Sequence, residues 1–331
     1  MAEDTLVFEG KDGPGKGKHI VLLSGDEEYR SEEALPMLAK ILSQRHGFKC
    51  TVLFALDKDG TINPQNTHSL PGAEALDSAD AIIMLLRFRE WPDDQMKHFA
   101  DAYLAGKPFI ALRTSTHAFN YAKDSKSPYA KYHWQSGGDW KGGFGKQVLG
   151  ETWVAHHGSH KHEAARGIIQ DAAKDDPILR GVSDLFADSD VYTASPPADV
   201  KVLVKGAVLK GMNPGDEPVE GPKNNPMQPV IWTREYKNEA GKTNKILCST
   251  MGAATDLKNE GLRRVVVNAT YAFTGLEVPA SADVTLVDEY KPTMYGFNTY
   301  TKGLKIDAYK LGATWPASAV PGPTWVMPEK K

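Results

Sequence analysis

Hydrophobic residues fall in short, nearly unbroken runs separated by stretches of helical period. His19–Gly25, Cys50–Ala55, Ala81–Leu86 and Pro108–Leu112 are such runs. Runs of this length and continuity predict strands buried on both faces, as in a parallel sheet. Between them, Leu35, Leu38, Ala39 and Leu42 repeat at helical spacing and predict a helix over 31–45. Pro36 is tolerable only near its first turn, where Glu32 and Glu33 also suit the positive helix end. Met96, Phe99, Ala100 and Tyr103 predict a second helix over 92–104, stopped by Gly106-Lys107-Pro108. Further strands are expected at 201–205, 229–233 and 245–251, and a helix at 260–273 with Leu262, Val265, Val266 and Ala269 inward. The fold predicted is α/β: three layers, a mostly parallel sheet with helices on both faces.

Three of these strands run straight into charge. After Gly25 come Asp26, Glu27, Glu28, Tyr29 and Arg30; after Leu86 come Arg87 and Arg89; after Leu112 come Arg113, Thr114, Ser115 and His117. Ligands of open parallel sheets bind beyond the carboxyl ends of the strands, so one edge receives all of these groups. Asp26, Glu27 and Glu28 could divide acid and base roles, accept bonds from sugar hydroxyls, or form a solvated loop. Arg87 and Arg89 alternate, so one of them is expected to face the crevice. Arg113 closes an apolar strand and needs a partner, for which Asp26 or Glu27 is the expected source, whether for catalysis or as a structural ion pair. His117 is a candidate general acid or base, or a structural histidine. The catalytic candidates are therefore Asp26, Glu27, Glu28, Arg113 and His117. Tyr29, Arg30, Arg87, Arg89, Thr114 and Ser115 are candidates for substrate binding.

The pattern breaks between about 120 and 166, where aromatics, glycines and histidines crowd together. Loops this long in compact domains are commonly functional, and the aromatic content favours order. His156, His157, His160 and His162 form a dense cluster that could bind a divalent metal such as zinc, line a substrate site, or lie on the surface. Gly158 and Ser159 argue against a helix, and on an extended segment His160 and His162 would share a face. Trp91, Trp134, Trp140 and Trp153 could stack on a sugar ring, though most tryptophans are core.

Composition narrows the partners. A net charge of -3 gives no reason to expect nucleic acid, and no apolar run is long enough to span a bilayer. Cys50 and Cys248 sit inside strand-like runs and read as buried hydrophobes rather than a disulfide or nucleophile. The glycine-rich stretch 10–18 precedes the first strand, whereas a phosphate loop must follow one. Three acids after the first strand would also repel phosphate, so neither nucleotide nor flavin is expected. Residues 1–18 read as a polar, flexible leader, 19–278 as the α/β domain, and 279–331 as an aromatic extension that packs on the domain or on a second subunit. The acidic N-terminus carries no signal peptide; a periplasmic or secreted location is expected if one has been removed, and a cytoplasmic one otherwise.

The stretch 106–117 resembles the central strand and turn of class I glutamine amidotransferases, with Arg113 where their cysteine stands. Their histidine near the last strand is also missing, since Met251–Ala254 occupies that region, so glutamine hydrolysis by that route is excluded. From about 18 to 277 the chain more closely resembles the ThuA-like, trehalose-utilisation family. The resemblance rests on 24–30, 108–117, 150–157, 176–181, 229–233 and 248–252. It differs at Arg113, where many members have histidine. It implies a flavodoxin-like or amidotransferase-like fold, a bacterial and often exported protein, and carbohydrate catabolism through routes that include 3-keto sugars. Two functions follow as expectations. One is a hydrolase, lyase or isomerase acting on a glycoside or 3-keto-glycoside by acid/base chemistry at the sheet edge. The other is a carbohydrate-binding or scaffold protein on a silenced amidotransferase-like fold.

Overall fold

The computed structural model describes residues 4–318 and 320–328. Ten strands form one sheet: β1 Thr5–Phe8, β2 His19–Gly25, β3 Lys49–Phe54, β4 Ala81–Leu86, β5 Phe109–Leu112, β6 Ala165–Ile169, β7 Leu185–Ala187, β8 Lys201–Val208, β9 Gln228–Lys237 and β10 Thr243–Ser249. Three α-helices pack on it: α1 Ser31–His46, α2 Asp93–Leu104 and α3 Glu260–Phe273. The strand order is β1-β3-β2-β4-β5-β10-β9-β8-β6-β7. Five neighbours, β3-β2-β4-β5-β10, are parallel, in the flavodoxin-like order. The order reverses between β2 and β4, the topological switch point of the parallel half.

Alternate residues of these strands feed two cores. Ile20, Leu22, Ile83, Leu85, Ile110 and Leu112 pack with α1 and α3, while Val21, Leu23, Ile82, Met84, Phe109 and Ala111 pack with α2. Both faces are therefore apolar, which is why the strands read as continuous runs. The three-layer α/β architecture expected from the sequence is present.

The other half of the sheet is an antiparallel wing of β9, β8, β6 and β7. The turn at Asn238–Gly241 joins β9 to β10 too tightly for a parallel crossover. Asn238 shapes it, its Oδ1 accepting from the Ala240 and Lys242 amides, each at 3.0 Å.

The N-terminal stretch is not a free lead-in. Thr5–Phe8 pairs antiparallel with β3 at the sheet edge. Gly10–Lys18 docks on the end of α1, where the Gly15 amide donates to His46 O at 2.8 Å. A Cβ on Gly10 would lie 2.0 Å from Gly47 O, so the approach requires glycine. Residues beyond α3 wrap back over the domain, burying Tyr295, Tyr309 and Trp325. No helix among the described residues is long and apolar enough to cross a membrane.

Candidate functional site

The three charged strand ends share a backbone feature. Arg30, Phe88 and Arg113 all have positive φ, 59°, 54° and 42°, and none is glycine. Such residues cost of order 1–3 kcal/mol each and persist where surroundings over-determine them. Here each one redirects the chain immediately beyond a parallel strand.

After β2, Asp26 is fully buried and organises the turn. Its Oδ1 accepts from the amides of Glu28 at 2.6 Å and Tyr29 at 2.8 Å, and its Oδ2 accepts from the Thr114 hydroxyl. Glu27 is gripped by Arg87 and Arg89, the latter at 2.9 Å. Burial and the Asp26 charge push the Glu27 carboxyl up, while the two guanidinium groups oppose this. Both arginines reach Glu27, in place of the one expected from alternation, because Phe88 between them is left-handed. Arg89 is fully buried and also donates to the carbonyls of Arg87 and Pro64. Arg30 donates to the carbonyls of Glu27 and Gly296. Ser115 donates to Met84 O at 2.9 Å and accepts from the Leu86 amide at 3.2 Å. Asp26, Arg30, Arg89, Thr114 and Ser115 are thus engaged in holding the strand ends.

Arg113 is fully buried, and its partner is Asp190, not Asp26 or Glu27. Its Nη2 donates to Asp190 Oδ1 at 2.8 Å and to the Tyr29 hydroxyl at 3.1 Å. Its Nη1 donates to the carbonyls of Asp190 at 2.5 Å and Thr250 at 2.7 Å. The guanidinium lies 3.7 Å from the Tyr192 ring centroid and 4.7 Å from that of Tyr29. Asp190 and Tyr192 follow β7 in a stretch where sequence periodicity gave no signal.

Asp190 also receives two histidines. His156 Nδ1 lies 2.7 Å from Oδ2, and His160 Nδ1 lies 3.1 Å from Oδ1. Burial alone would raise the Asp190 carboxyl; Arg113 and the two imidazoles outweigh it and hold it well below the usual range. The His160 Nε2 stands 3.4 Å from Glu28 Oε1. Burial opposes the His160 cation, but Asp190 and Glu28 raise its pKa above the ordinary value. One ligand atom from each of His156, His160 and Asp190 falls within 4.8 Å of the others, a cluster able to coordinate a metal. The chain turns between these histidines, with Lys161 left-handed, so His156 meets His160 while His162 is exposed. The expected shared face of His160 and His162 does not form. His157 points elsewhere, its Nε2 2.6 Å from Lys223 O.

His117 follows β5 by one turn and is 4% exposed. Burial, then Arg87, Arg113 and His156, push its pKa well below the ordinary imidazole value, so it is neutral at pH 7. Its Nδ1 lies 3.1 Å from the Thr116 hydroxyl. The rings of Phe88, Trp153, Trp134 and Tyr192 surround it, with centroids 5.2, 6.1, 6.4 and 6.5 Å away. Trp153 and Tyr192 also contact His156, at 5.8 and 5.5 Å. His117 and the Asp190 cluster are therefore joined through the rings of Trp153 and Tyr192. The C-terminal extension packs beside the cluster: the Tyr295 ring is 5.5 Å from His160, and the Gly296 amide donates to Glu28 O at 2.8 Å.

Both cysteines are buried in strands, where desolvation pushes their thiols far up. Neither stands at this cluster as a nucleophile.

No family model matches the sequence, and no curated protein matches it. Among solved structures, a ThuA-like protein from Parabacteroides merdae is similar at 14% identity and a TM-score of 0.48, over 80% of this chain and 92% of that one. A ThuA-like protein from Bacteroides uniformis is similar at 13% identity and a TM-score of 0.46, over 82% and 96%. The glutaminase domain of Trypanosoma brucei CTPS is similar at 8% identity and a TM-score of 0.36, over 80% and 98%. Likeness this distant assigns no activity.

Proposed function

We propose that this protein is an enzyme of carbohydrate chemistry that moves a proton on a glycoside or 3-keto-glycoside, with His117 as the base. One observation carries the reading: His117 stands just beyond β5, and the rings of Trp153 and Tyr192 touch both it and His156, a partner of Asp190. A neutral imidazole keeps a lone pair free to accept a proton at pH 7. Among the described residues its Nε2 has no hydrogen-bond partner, whereas Nδ1 is occupied by Thr116. In the step proposed, a C–H bond beside a carbonyl breaks, its proton passes to Nε2, its electron pair forms the C=C bond of an enolate, and the C=O π pair moves onto the oxygen. His156, through its Nε2, and Arg87 are the neighbouring donors for oxygen in this scheme. Arg113 does not reach substrate in this scheme; it holds Asp190 ionised, and Asp190 orients both histidines.

Two imidazoles and a carboxylate form a donor set that suits zinc. A divalent ion held by His156, His160 and Asp190 would supply a Lewis acid for the developing oxyanion. The test is exchange of ring protons of 3-keto-glycosides in D2O, followed by NMR, with elemental analysis of the same sample before and after chelation. Exchange that disappears in His117→Asn supports the base assignment. A divalent metal near one per chain, lost in a His156→Ala/His160→Ala variant, supports the metal. No exchange across a panel of keto-glycosides, with or without added zinc, would sink the enzymatic reading. A non-catalytic sugar-binding protein is the second reading, favoured by how many strand-end charges are engaged in structural bonds.

A further inference from the structure

Asp190 organises the cluster, yet the strand before it is poorly placed to hold it. β7 is three residues long, stands at the end of the sheet and pairs with β6. The chain beyond it is fixed by side chains. Ser189 donates its amide and its hydroxyl to Asp256, at 2.9 and 2.6 Å. Asp188 is 1% exposed and is held at three points. Thr255 donates to its Oδ1 at 2.5 Å, the Trp325 indole to its Oδ2 at 2.8 Å, and the Tyr295 hydroxyl to its backbone carbonyl at 3.0 Å. Past Asp190, the backbone of Val191 and Thr193 pairs with that of Ala155, His157 and Gly158, which ties this loop to the segment carrying His156.

Two of the three holds on Asp188 come from the C-terminal extension, and each is itself fixed. Trp325 packs edge-on against Phe186, centroids 4.8 Å apart, with Lys258 Nζ 4.4 Å from its ring. The same Nζ donates to the carbonyls of Pro323 and Trp325, at 2.7 and 3.1 Å. Tyr295 is 1% exposed. Its ring lies 5.1 Å from that of Tyr29, whose hydroxyl accepts from Arg113, and 5.5 Å from that of His160. Tyr295 thus contacts Tyr29, Asp188 and His160 at once. Other contacts of the extension lie along α1, where Arg45 donates to the carbonyls of Thr285 and Leu286.

The orientation of a metal ligand is set by the bonds made to it and to its neighbours, and loss of one such support typically weakens metal binding about 10–100-fold. We infer that Tyr295 and Trp325 are positioning residues of the His156–His160–Asp190 cluster, so that the C-terminal extension is part of the site and its docking and metal binding favour each other. The inference rests on the metal reading above and adds the segment that sets the ligand geometry. That segment lies beyond residue 277, where the family resemblance ends. Coupling of this kind is reciprocal: if docking tightens metal binding, the metal tightens docking by the same factor.

The test is titration of the metal-free full chain with zinc, in competition with a chromogenic chelator, and with cobalt(II), whose visible spectrum reports ligand geometry. Stoichiometric binding is expected for the parent. Tyr295→Phe and Trp325→Phe each keep an aromatic ring and lose one hydrogen-bond donor. Each should weaken zinc binding about tenfold and change the cobalt spectrum. Arg45→Ala should match the parent in both. In the parent, zinc should slow hydrogen exchange of the Gly296 amide, which donates to Glu28 O. Unchanged affinity and spectrum in both phenylalanine variants, an equal loss in Arg45→Ala, or exchange at Gly296 that ignores zinc would overturn the inference. Should Trp325→Phe fail to fold, Tyr295→Phe, smaller by one oxygen atom, decides. The two readings fail separately. A parent that binds neither metal removes the metal reading and this inference with it; a parent that binds metal, with variants that bind as well, removes the inference alone.

Discussion

The parallel half of the sheet and the antiparallel wing meet at the Arg113–Asp190 pair but bring different things to it. The parallel half supplies most of the charge: Asp26, Glu27, Arg87, Arg89 and Arg113 all follow its strands. Most of that charge is bonded inward, to amides, carbonyls and other charges. The wing and the long loop before it supply Trp153, His156, His160, Asp190 and Tyr192, and three of these, Trp153, His156 and His160, keep partial exposure. Strand-end charge here builds a rigid frame, and the partly exposed polar and aromatic groups come mainly from segments without regular periodicity. His117 is the exception, a parallel-half residue that stands free at Nε2.

The sharpest way to break this comparison is at Arg113, where the halves meet. Arg113→Met removes the cation and leaves Asp190 buried with only two imidazoles. Loss of about 3–5 kcal/mol is expected in urea unfolding, the range for one partner of a buried pair. A loss under 1 kcal/mol would show that Asp190 does not depend on the parallel half.

His117→Asn tests the exception. It should leave the fold intact and lower proton exchange by about 10²–10⁴-fold, the usual contribution of a positioned base. Full retention of exchange would move the chemistry entirely to the wing.

Asp26→Ala tests the frame. The carboxylate accepts three bonds in the turn after β2, so a stability loss of about 2 kcal/mol is expected, with little change in metal content. An effect on metal content as large as that of His156→Ala would show that the frame and the ligand-facing groups are not separable.

The smallest effect separates the halves by pH. Burial and the neighbouring Glu32 push Glu33 up to about 8, although it accepts two bonds from Thr293 of the C-terminal extension. Its folded pKa lies above the unfolded one, so the native state binds the proton more tightly. Its contribution is complete below about pH 4.5 and is lost as pH rises toward 8. Asp190 has the opposite sign: its carboxyl is depressed, so its contribution is present above the ordinary aspartate range and is lost as pH falls below it. Glu33→Gln should flatten the alkaline decline in melting temperature between pH 5 and 8 and leave the acid decline unchanged. If the slope between pH 5 and 8 persists in this variant, Glu33 is not its source.

Much of the frame was legible in the sequence. Strands buried on both faces must be apolar throughout, so β2, β4 and β5 appear as runs, and the charges that end them mark the sheet edge. The helices α1, α2 and α3 were legible from their 3.6-residue period, with α3 matching Glu260–Phe273. The antiparallel direction of the wing was not read from the chain, because a strand's hydrophobicity does not state which way its neighbour runs. The ion-pair partner of Arg113 was out of reach for a related reason: Asp190 lies 77 residues away and follows a three-residue strand with too few positions to show a period.

The sequence by itself determined the layers, the parallel centre of the sheet and the edge at which charged residues gather, because burial dictates residue type locally. Tertiary structure alone decided which of those residues are left free. Whether a carboxylate or guanidinium is a reactive group or a strut depends on which donors and acceptors surround it, and these arrive from distant parts of the chain. Asp26 and Glu28 are two positions apart in one turn; three hydrogen bonds from the protein take up the first, and the second faces His160 across 3.4 Å.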